Sequence, residues 1–235
     1  MMVRITINGQ MLFVQRHTPV LQAAARQGIV IPTLCYHEAL KPYGSCRLCL
    51  VEAHRNGRPR LVTSCNYPAE DGLVVFTDTE RVKSARKTAL ELLLARCPNV
   101  PQIQRLAQKM GIKTSRFYKK QDERCILCGL CVRACEEMVG AGAIGFAGRG
   151  IEKHVNTPFG LQSDACIGCG SCTYICPTGC IEMVGEPGPS AHRKIRISDP
   201  DLPPCGQEHR CETCTTNQQF IEEMKEVIRK VRQVP

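Results

Sequence analysis

Cys125-Ile-Leu-Cys128-Gly-Leu-Cys131-Val-Arg-Ala-Cys135 and Cys166-Ile-Gly-Cys169-Gly-Ser-Cys172-Thr-Tyr-Ile-Cys176-Pro177 decide how this chain is read. Both follow the spacing C-x2-C-x2-C-x3-C, and the second repeats the first 41 residues later (125 to 166). Three thiolates this close in sequence wrap three corners of a cubane only on a tight loop, which Gly129, Gly168 and Gly170 permit. In the two-cluster pattern the fourth ligand is exchanged. Cys125, Cys128, Cys131 and Cys176 then hold one [4Fe–4S] cluster, and Cys166, Cys169, Cys172 and Cys135 hold the other, which makes the clusters neighbours. Paired zinc sites are the alternative, since C-x2-C is also a zinc spacing. Zinc sites, however, seldom use two identical triple-cysteine runs with Pro after the last.

The composition agrees with a fold held by ligation. The chain has 17 cysteines in 235 residues, no Trp and 5% aromatics, so each module buries only a modest core. A 43% apolar and 23% charged composition excludes a disordered or collagen-like chain, and the run around Leu92 to Ala95 is far too short to cross a bilayer. Met1-Met2-Val3-Arg4-Ile5-Thr6-Ile7 alternates like a strand and lacks the features of an export signal, so a cytoplasmic location is expected. In that reducing compartment an odd number of cysteines, many in C-x-x-C pairs, argues for metal or cluster ligands over disulfides. The formal net charge is +9. Three thiolate-held clusters of about −2 each would lower it to roughly +3, so the basic excess says little about nucleic acid. Aromatic residues do not interleave with the basic ones, which weakens a nucleic-acid reading further.

Residues 3–7 and 11–15 read as strands joined at Asn8-Gly9. Thr18 reads as the cap of a helix with Pro19 at its first position and Gly28 beyond its end. Extended segments are expected at Arg60 to Thr63 and Leu73 to Thr77, so residues 1–78 form a small mixed sheet with one helix across it. Four cysteines of this segment, Cys35, Cys46, Cys49 and Cys65, fall outside its regular elements. Two lie on a short loop and two come from elsewhere, the topology a planar [2Fe–2S] core requires. The spacing is not the plant-type one, and zinc or free thiols are the alternatives. An amphipathic helix is expected from Thr79 to Ala95, with Val82, Ala85, Ala89, Leu92 and Leu93 on its apolar face. A second starts at Pro101 with Ile103, Leu106, Ala107 and Met110 inward and stops at Gly111. Lys113 to Arg124 reads as a basic linker. Pro and Gly clusters at 185–189 and 200–204 mark an irregular arm, and from Asn217 a terminal helix puts Ile221, Met224, Ile228 and Val231 on one face.

The segment Gly44-Ser45-Cys46-Arg47-Leu48-Cys49-Leu50-Val51-Glu52, with the lead-in Ile31-Pro32-Thr33-Leu34-Cys35, resembles the β-grasp ferredoxin domain of the large iron–sulfur subunit of NADH dehydrogenase. The same segment begins the diaphorase iron–sulfur subunit of bidirectional NAD-linked hydrogenases and many iron-only hydrogenases. The resemblance covers about residues 1–180, including Thr77-Asp78-Thr79 and Ser115-Arg116-Phe117. It implies an α+β arrangement of a β-grasp [2Fe–2S] domain at 1–78, a helical linker at 79–120 and a ferredoxin-like domain with two [4Fe–4S] clusters at 121–184, to which the sequence pattern adds a fourth part, an arm with a C-terminal helix at 185–235. The family usually carries a His-x3-Cys-x2-Cys-x5-Cys cluster in the linker; here Arg96-Cys97-Pro98-Asn99-Val100 offers one cysteine, so that cluster is absent and Cys97 reads as a small buried side chain. Cys205, Cys211 and Cys214 in the arm, with Cys180, make a candidate further site for a cluster or zinc, with His209 or Cys97 as rival ligands and reduced thiols as the bland alternative.

Gly140-Ala141-Gly142-Ala143-Ile144-Gly145 matches G-x-G-x-x-G, but it sits between cluster loops and not in a βαβ unit, so nucleotide binding is not expected there. All-cysteine clusters have no open position for substrate. The chain is therefore expected to be a non-catalytic electron relay, with no nucleic acid and no membrane span, and the resemblance implies that it works in a multi-subunit NAD(P)-linked oxidoreductase beside a flavin- and NAD(P)-binding subunit and another redox subunit. A free polyferredoxin-type carrier is the alternative. Arg105, Lys109, Lys113, Arg116, Lys119, Lys120 and Arg124 would then face either an acidic partner or solvent.

Overall fold

Strands β1 (Met2–Ile7) and β2 (Gln10–Gln15) pair antiparallel from Met2 opposite Gln15 to Ile7 opposite Gln10. Asn8 (φ 50) and Gly9 (φ 84) make the turn, both in the positive-φ region that the Asn-Gly dipeptide tolerates. Alternation sends Val3, Ile5, Ile7, Leu12 and Val14 to one buried face. This computed structural model describes residues 1–55, 57–118, 123–161, 163–184 and 194–197.

Helix α1 (Val20–Ala25) lays Val20, Leu21, Ala23 and Ala24 on that face. It is shorter than the sequence predicts. Pro19 stands outside the helix in extended conformation and bridges Pro68, while the Thr18 carbonyl accepts the Ala69 N–H. Pairing with the 67–69 segment thus outweighs the local preference for Thr18 as cap.

Strands β3 (Leu50–Arg55), β4 (Arg58–Thr63) and β5 (Leu73–Phe76) complete a five-stranded sheet in the order β2-β1-β5-β3-β4. The β1–β5 pair is parallel and the others antiparallel. The sequence reading did not single out β3 as a strand, yet it lies between β5 and β4 and turns Val51 and Ala53 inward. Full burial of side chains such as Ile5, Ile7 and Val75 contributes about 1.5–3 kcal/mol each.

Helix α2 (Glu80–Arg96) starts where Thr79 Oγ1 accepts the Val82 N–H. Its buried stripe is Val82, Arg86, Leu90 and Glu91, whereas Leu92, expected inside, is 51% exposed. The helix is rotated from the apolar reading because two polar side chains have internal partners. Arg86 donates through Nε (3.0 Å) and Nη2 (2.6 Å) to the Leu50 carbonyl, and Glu91 meets the Arg116 guanidinium. Helix α3 (Pro101–Lys109) buries Ile103 and Ala107 as expected and packs on α2. The segment after it is strapped back: Ser115 Oγ donates to the Glu91 carbonyl (2.7 Å), and Arg116, largely exposed, is engaged by Glu91 and lies over the Phe117 ring. These elements belong to one unit, Met1–Cys128.

The second unit begins at Gly129. Helix α4 (Leu130–Arg133) runs into a π-helical turn, Ala134–Met138, and is followed by the pair β6 (Gly145–Ala147) and β7 (His154–Asn156). Helix α5 (Ser171–Tyr174) precedes β8 (Ile181–Val184), which pairs antiparallel with β9 (Lys194–Ile197). Strand β9 thus lies inside the stretch read as an irregular arm. Among the unit's described residues the buried aliphatic side chains are Leu130, Ala134, Ala143, Ile144, Val155, Ile175 and Ile181, and Arg133, Ser171 and Thr178 are buried with them. Among the described residues no helix is long and apolar enough to cross a membrane.

Candidate cluster sites

The sheet positions the N-terminal thiols. Cys35 lies on the segment after α1, Cys46 and Cys49 on the loop leading into β3, and Cys65 in the turn after β4. All four are at most 4% exposed. Their sulfurs meet in pairs. The Cys46 N–H donates to the Cys35 sulfur (3.4 Å), and a hydrogen bond between the Cys35 and Cys46 side chains, with burial, pushes the Cys46 thiol up. Cys49 is drawn down to about 6, first by its hydrogen bond with Cys65, while Cys65 is pushed up by that same bond, by burial, and by the charges of Cys49, Cys35 and Cys46. The four thiols therefore share one electrostatic neighbourhood. Ser64 holds the loop by donating its N–H (3.0 Å) and Oγ (2.8 Å) to the Cys49 carbonyl, and Arg86 holds the next carbonyl, that of Leu50.

Cys125 and Cys128 close the first unit. Leu127 N–H donates to the Cys125 sulfur (3.4 Å). Two side chains pin this loop: Arg96 Nε on the Cys125 carbonyl (2.7 Å) and Ser45 Oγ, from the loop of Cys46, on the Leu127 carbonyl (3.0 Å). Leu127 has φ 53, a conformation costing an L-residue about 1–2 kcal/mol. Its counterpart 41 residues on is Gly168, at φ 64, and Gly129 and Gly170 match at φ 71 and 76, so the repeat in sequence is a repeat in backbone.

In the second unit Cys135, on the π-helical turn, comes to Cys166, Cys169 and Cys172. Burial and the charges of Cys169, Cys166 and Cys135 push the Cys172 thiol up to about 12. The stretch matching G-x-G-x-x-G wraps Cys135: Ala141 and Gly142 N–H groups donate to its carbonyl, and Ala143 N–H donates to its sulfur (3.3 Å). It follows a helical turn and leads into β6, which is not the strand-to-helix context of a dinucleotide site. Cys131 lies on α4 and Cys176 just beyond α5. Cys176 is drawn down to about 5, first by its hydrogen bond with Cys180 and further by Thr178.

Cys97 is fully buried at the C-terminal end of α2. Cys180 is buried beside Cys176, and its expected companions Cys205, Cys211, Cys214 and His209 lie outside the described residues, as does the terminal helix. Among the described residues no three His, Cys, Asp or Glu side chains are grouped as ligands of a single metal ion. The described cysteines form no disulfide. Thiols grouped in pairs and quartets, buried or partly buried and with backbone N–H groups aimed at sulfur, fit the soft donor set of iron–sulfur clusters. The sequence reading missed Ser45, Arg86 and Arg96 as supports of these loops. Only Leu127 left a signal, its place opposite Gly168 in the repeat.

A model of the 2Fe-2S iron-sulfur cluster binding domain matches residues 1–80, and one of the 4Fe-4S dicluster domain matches residues 119–183. The mitochondrial NADH-ubiquinone oxidoreductase 78 kDa subunit of Candida albicans is 32% identical over 205 residues, which is 76% of this chain and 28% of the relative. NADP-reducing hydrogenase subunit HndD of Solidesulfovibrio fructosivorans is 35% identical over 211 residues, 77% of this chain and 36% of the relative. The chain thus spans about a third of the length of these curated relatives. Among solved structures, a chain of an NAD+-reducing [NiFe]-hydrogenase in the H2-reduced state superposes with a TM-score of 0.57 at 36% identity, covering 66% of this chain and 74% of that one. With a [2Fe–2S] domain, a [4Fe–4S] dicluster domain and relatives in both enzyme groups, the chain belongs to the iron–sulfur subunit family shared by the N-terminal region of the large NADH dehydrogenase subunit and the NAD-linked hydrogenases.

Proposed function

We propose that this chain is an iron–sulfur electron-transfer subunit of a multi-subunit NAD(P)-linked oxidoreductase. It would relay single electrons between a flavin- and NAD(P)-binding subunit and another redox subunit, in the cytoplasm. The grouping of thiols carries the reading: the buried Cys35, Cys46, Cys49 and Cys65 around one centre, and the partly exposed Cys135, Cys166 and Cys169 with the buried Cys172 around another. In this reading residues 1–78 are a β-grasp domain whose sulfur pairs each take one iron, Cys35 with Cys46 and Cys49 with Cys65. Residues 79–120 are the linker and 121–184 the ferredoxin-like domain, with Cys125, Cys128, Cys131 and Cys176 holding its other cluster. Cys180, Cys205, Cys211 and Cys214 are the candidate further site, for a cluster or zinc, with reduced thiols as the alternative.

Bound by cysteine alone, such clusters supply one-electron transfer and offer no coordination position to substrate. The chain's own residues do the rest. Burial of Cys35, Cys46, Cys49 and Cys65 excludes water, which together with hydrogen bonds to sulfur tunes the potential. The N–H groups of Cys46, Leu127 and Ala143 supply three such bonds. Ser64, Arg86, Arg96 and Ser45 hold the loop carbonyls, so the thiolates keep their places whether or not an extra electron is present.

Anaerobic purification of the full chain with its native partners tests this. The expected result is a brown complex in which this chain accounts for about ten irons and about ten acid-labile sulfides, from one [2Fe–2S] and two [4Fe–4S] clusters. Electron paramagnetic resonance should show both [2Fe–2S] and [4Fe–4S] signals, and a flavoprotein should co-purify. A colourless chain, or zinc in place of iron and sulfide, overturns the reading.

A further inference from the structure

Cys180 belongs to neither cysteine quartet, yet its side chain is 5% exposed and its sulfur lies 3.5 Å from that of Cys176. The turn Cys176-Pro177-Thr178-Gly179-Cys180 brings it back. Gly179, at φ 61, donates its N–H to the Cys176 carbonyl (3.3 Å), and Thr178 Oγ1 sits 3.5 Å from the Cys176 sulfur. The internal repeat supplies an independent comparison. The 41-residue displacement that maps Cys176 onto Cys135 maps Cys180 onto Val139. One arm of the repeat therefore carries a single thiol at this corner and the other carries two, in contact.

We propose that Cys180 is a reserve ligand for the iron that Cys176 holds, so that either thiolate completes that [4Fe–4S] cluster. The proposal rests on the reading of Cys176 as a cluster ligand. Both side chains offer the same soft sulfur donor, and their contact means that a rotation at Cβ with a small shift of the turn exchanges one for the other. In the exchange the Fe–S bond to Cys176 breaks as the bond to Cys180 forms. The incoming thiol gives up its proton and the departing thiolate takes one up, so net charge and electron count stay the same. Cys135 has no such substitute. This placement also draws Cys180 away from the role of fourth ligand beside Cys205, Cys211 and Cys214.

The test uses the full chain, loaded and purified anaerobically, as wild type and as Cys176→Ala, Cys176→Ser, Cys180→Ala, Cys176→Ala/Cys180→Ala and Cys135→Ala. Iron and acid-labile sulfide per chain are measured with the paramagnetic resonance spectrum of the reduced protein. Cys176→Ala and Cys180→Ala should each keep the wild-type iron, while the double variant and Cys135→Ala should each lose about four irons. Cys176→Ser should give the same spectrum as Cys176→Ala, because Cys180 and not the serine oxygen is then the ligand. The proposal fails if Cys176→Ala loses as much iron as the double variant, if Cys180→Ala alone loses iron, or if Cys176→Ser shows a spectrum of its own. Retention of the [2Fe–2S] signal in every variant separates these outcomes from a folding failure of the first unit. An iron-free wild type would instead sink the cluster reading itself.

Discussion

Replacing Arg86 by Met keeps most of the buried stem and removes the guanidinium that reaches from α2 to the Leu50 carbonyl. Two charge-assisted hydrogen bonds are lost and a carbonyl is left without them, at about 1.5–3 kcal/mol for a bond of this class and about 1–3 kcal/mol for an orphaned acceptor. Against this, burial already strains the charged form: desolvation pulls the Arg86 pKa below its ordinary value, and the substitution relieves that cost. A net loss of about 2 kcal/mol remains, a factor of roughly 30 in the folding equilibrium. For a unit the size of Met1–Cys128 this lowers the calorimetric midpoint by roughly 6–10 °C. Because Leu50 adjoins Cys49, iron removal from the N-terminal site by a chelator should also quicken, by up to about 30-fold if the strand end must open first. Lys87→Met, on the exposed side of the same helix, serves as control. Equal midpoints and equal iron-release rates for the two variants would refute the reasoning.

Ser45→Ala removes the donor to the Leu127 carbonyl and should cost about 1 kcal/mol in urea unfolding, with Ser45→Thr restoring most of it; no change in either would show the bond to be idle. Glu91→Gln weakens the carboxylate's bonds to Arg116, and since Glu91 is 4% exposed but Arg116 67% exposed the loss should be about 1 kcal/mol in urea unfolding and shrink as salt is raised; an equal loss at low and high salt would refute the charge contribution. Cys97→Ala should keep the full wild-type iron content while lowering stability by about 1 kcal/mol; loss of iron on this substitution would make Cys97 a ligand.

The parts of the molecule legible in sequence were those where one residue type has one use. Asn8-Gly9 makes a turn, Pro101 opens α3, and the two quartets announce themselves because few structures other than clusters need that spacing. The buried face of α2 was not legible. An arginine and a glutamate on a helix read as its solvent side, and only the placement of Leu50 and Arg116 reveals their partners. Strand β3 was overlooked for a related reason: Glu52 and His54 alternate with Val51 and Ala53, but the stretch is short and adjoins the Cys49 loop, which drew the reading toward ligation. The Thr18 cap failed because a bridge to a distant segment competes with it, and local pattern carries no trace of the competitor. Leu127 shows the middle case. Leucine gives no hint of positive φ, yet its repeat partner is Gly168, and a repeat constrained to wrap the same kind of site imposes one backbone on both.

The linker shows what polar side chains do beside the first quartet. Arg96 and Cys97 stand at the end of α2, and the arginine turns its guanidinium to the Cys125 carbonyl and the Glu123 carboxylate. Ser45 meets the same loop from the other side, at Leu127. One anchor comes from the end of α2 and one from the loop that carries Cys46, so the start of the first quartet is fixed to the unit that holds the N-terminal thiols. Electron transfer between neighbouring centres depends on a constant separation, which a loop hung on a mobile linker would not provide. Here the linker's polar side chains hold backbone carbonyls in place, Arg86 that of Leu50 and Arg96 that of Cys125, and in the proposed reading this keeps the loops of Cys46 and Cys125 at a fixed separation.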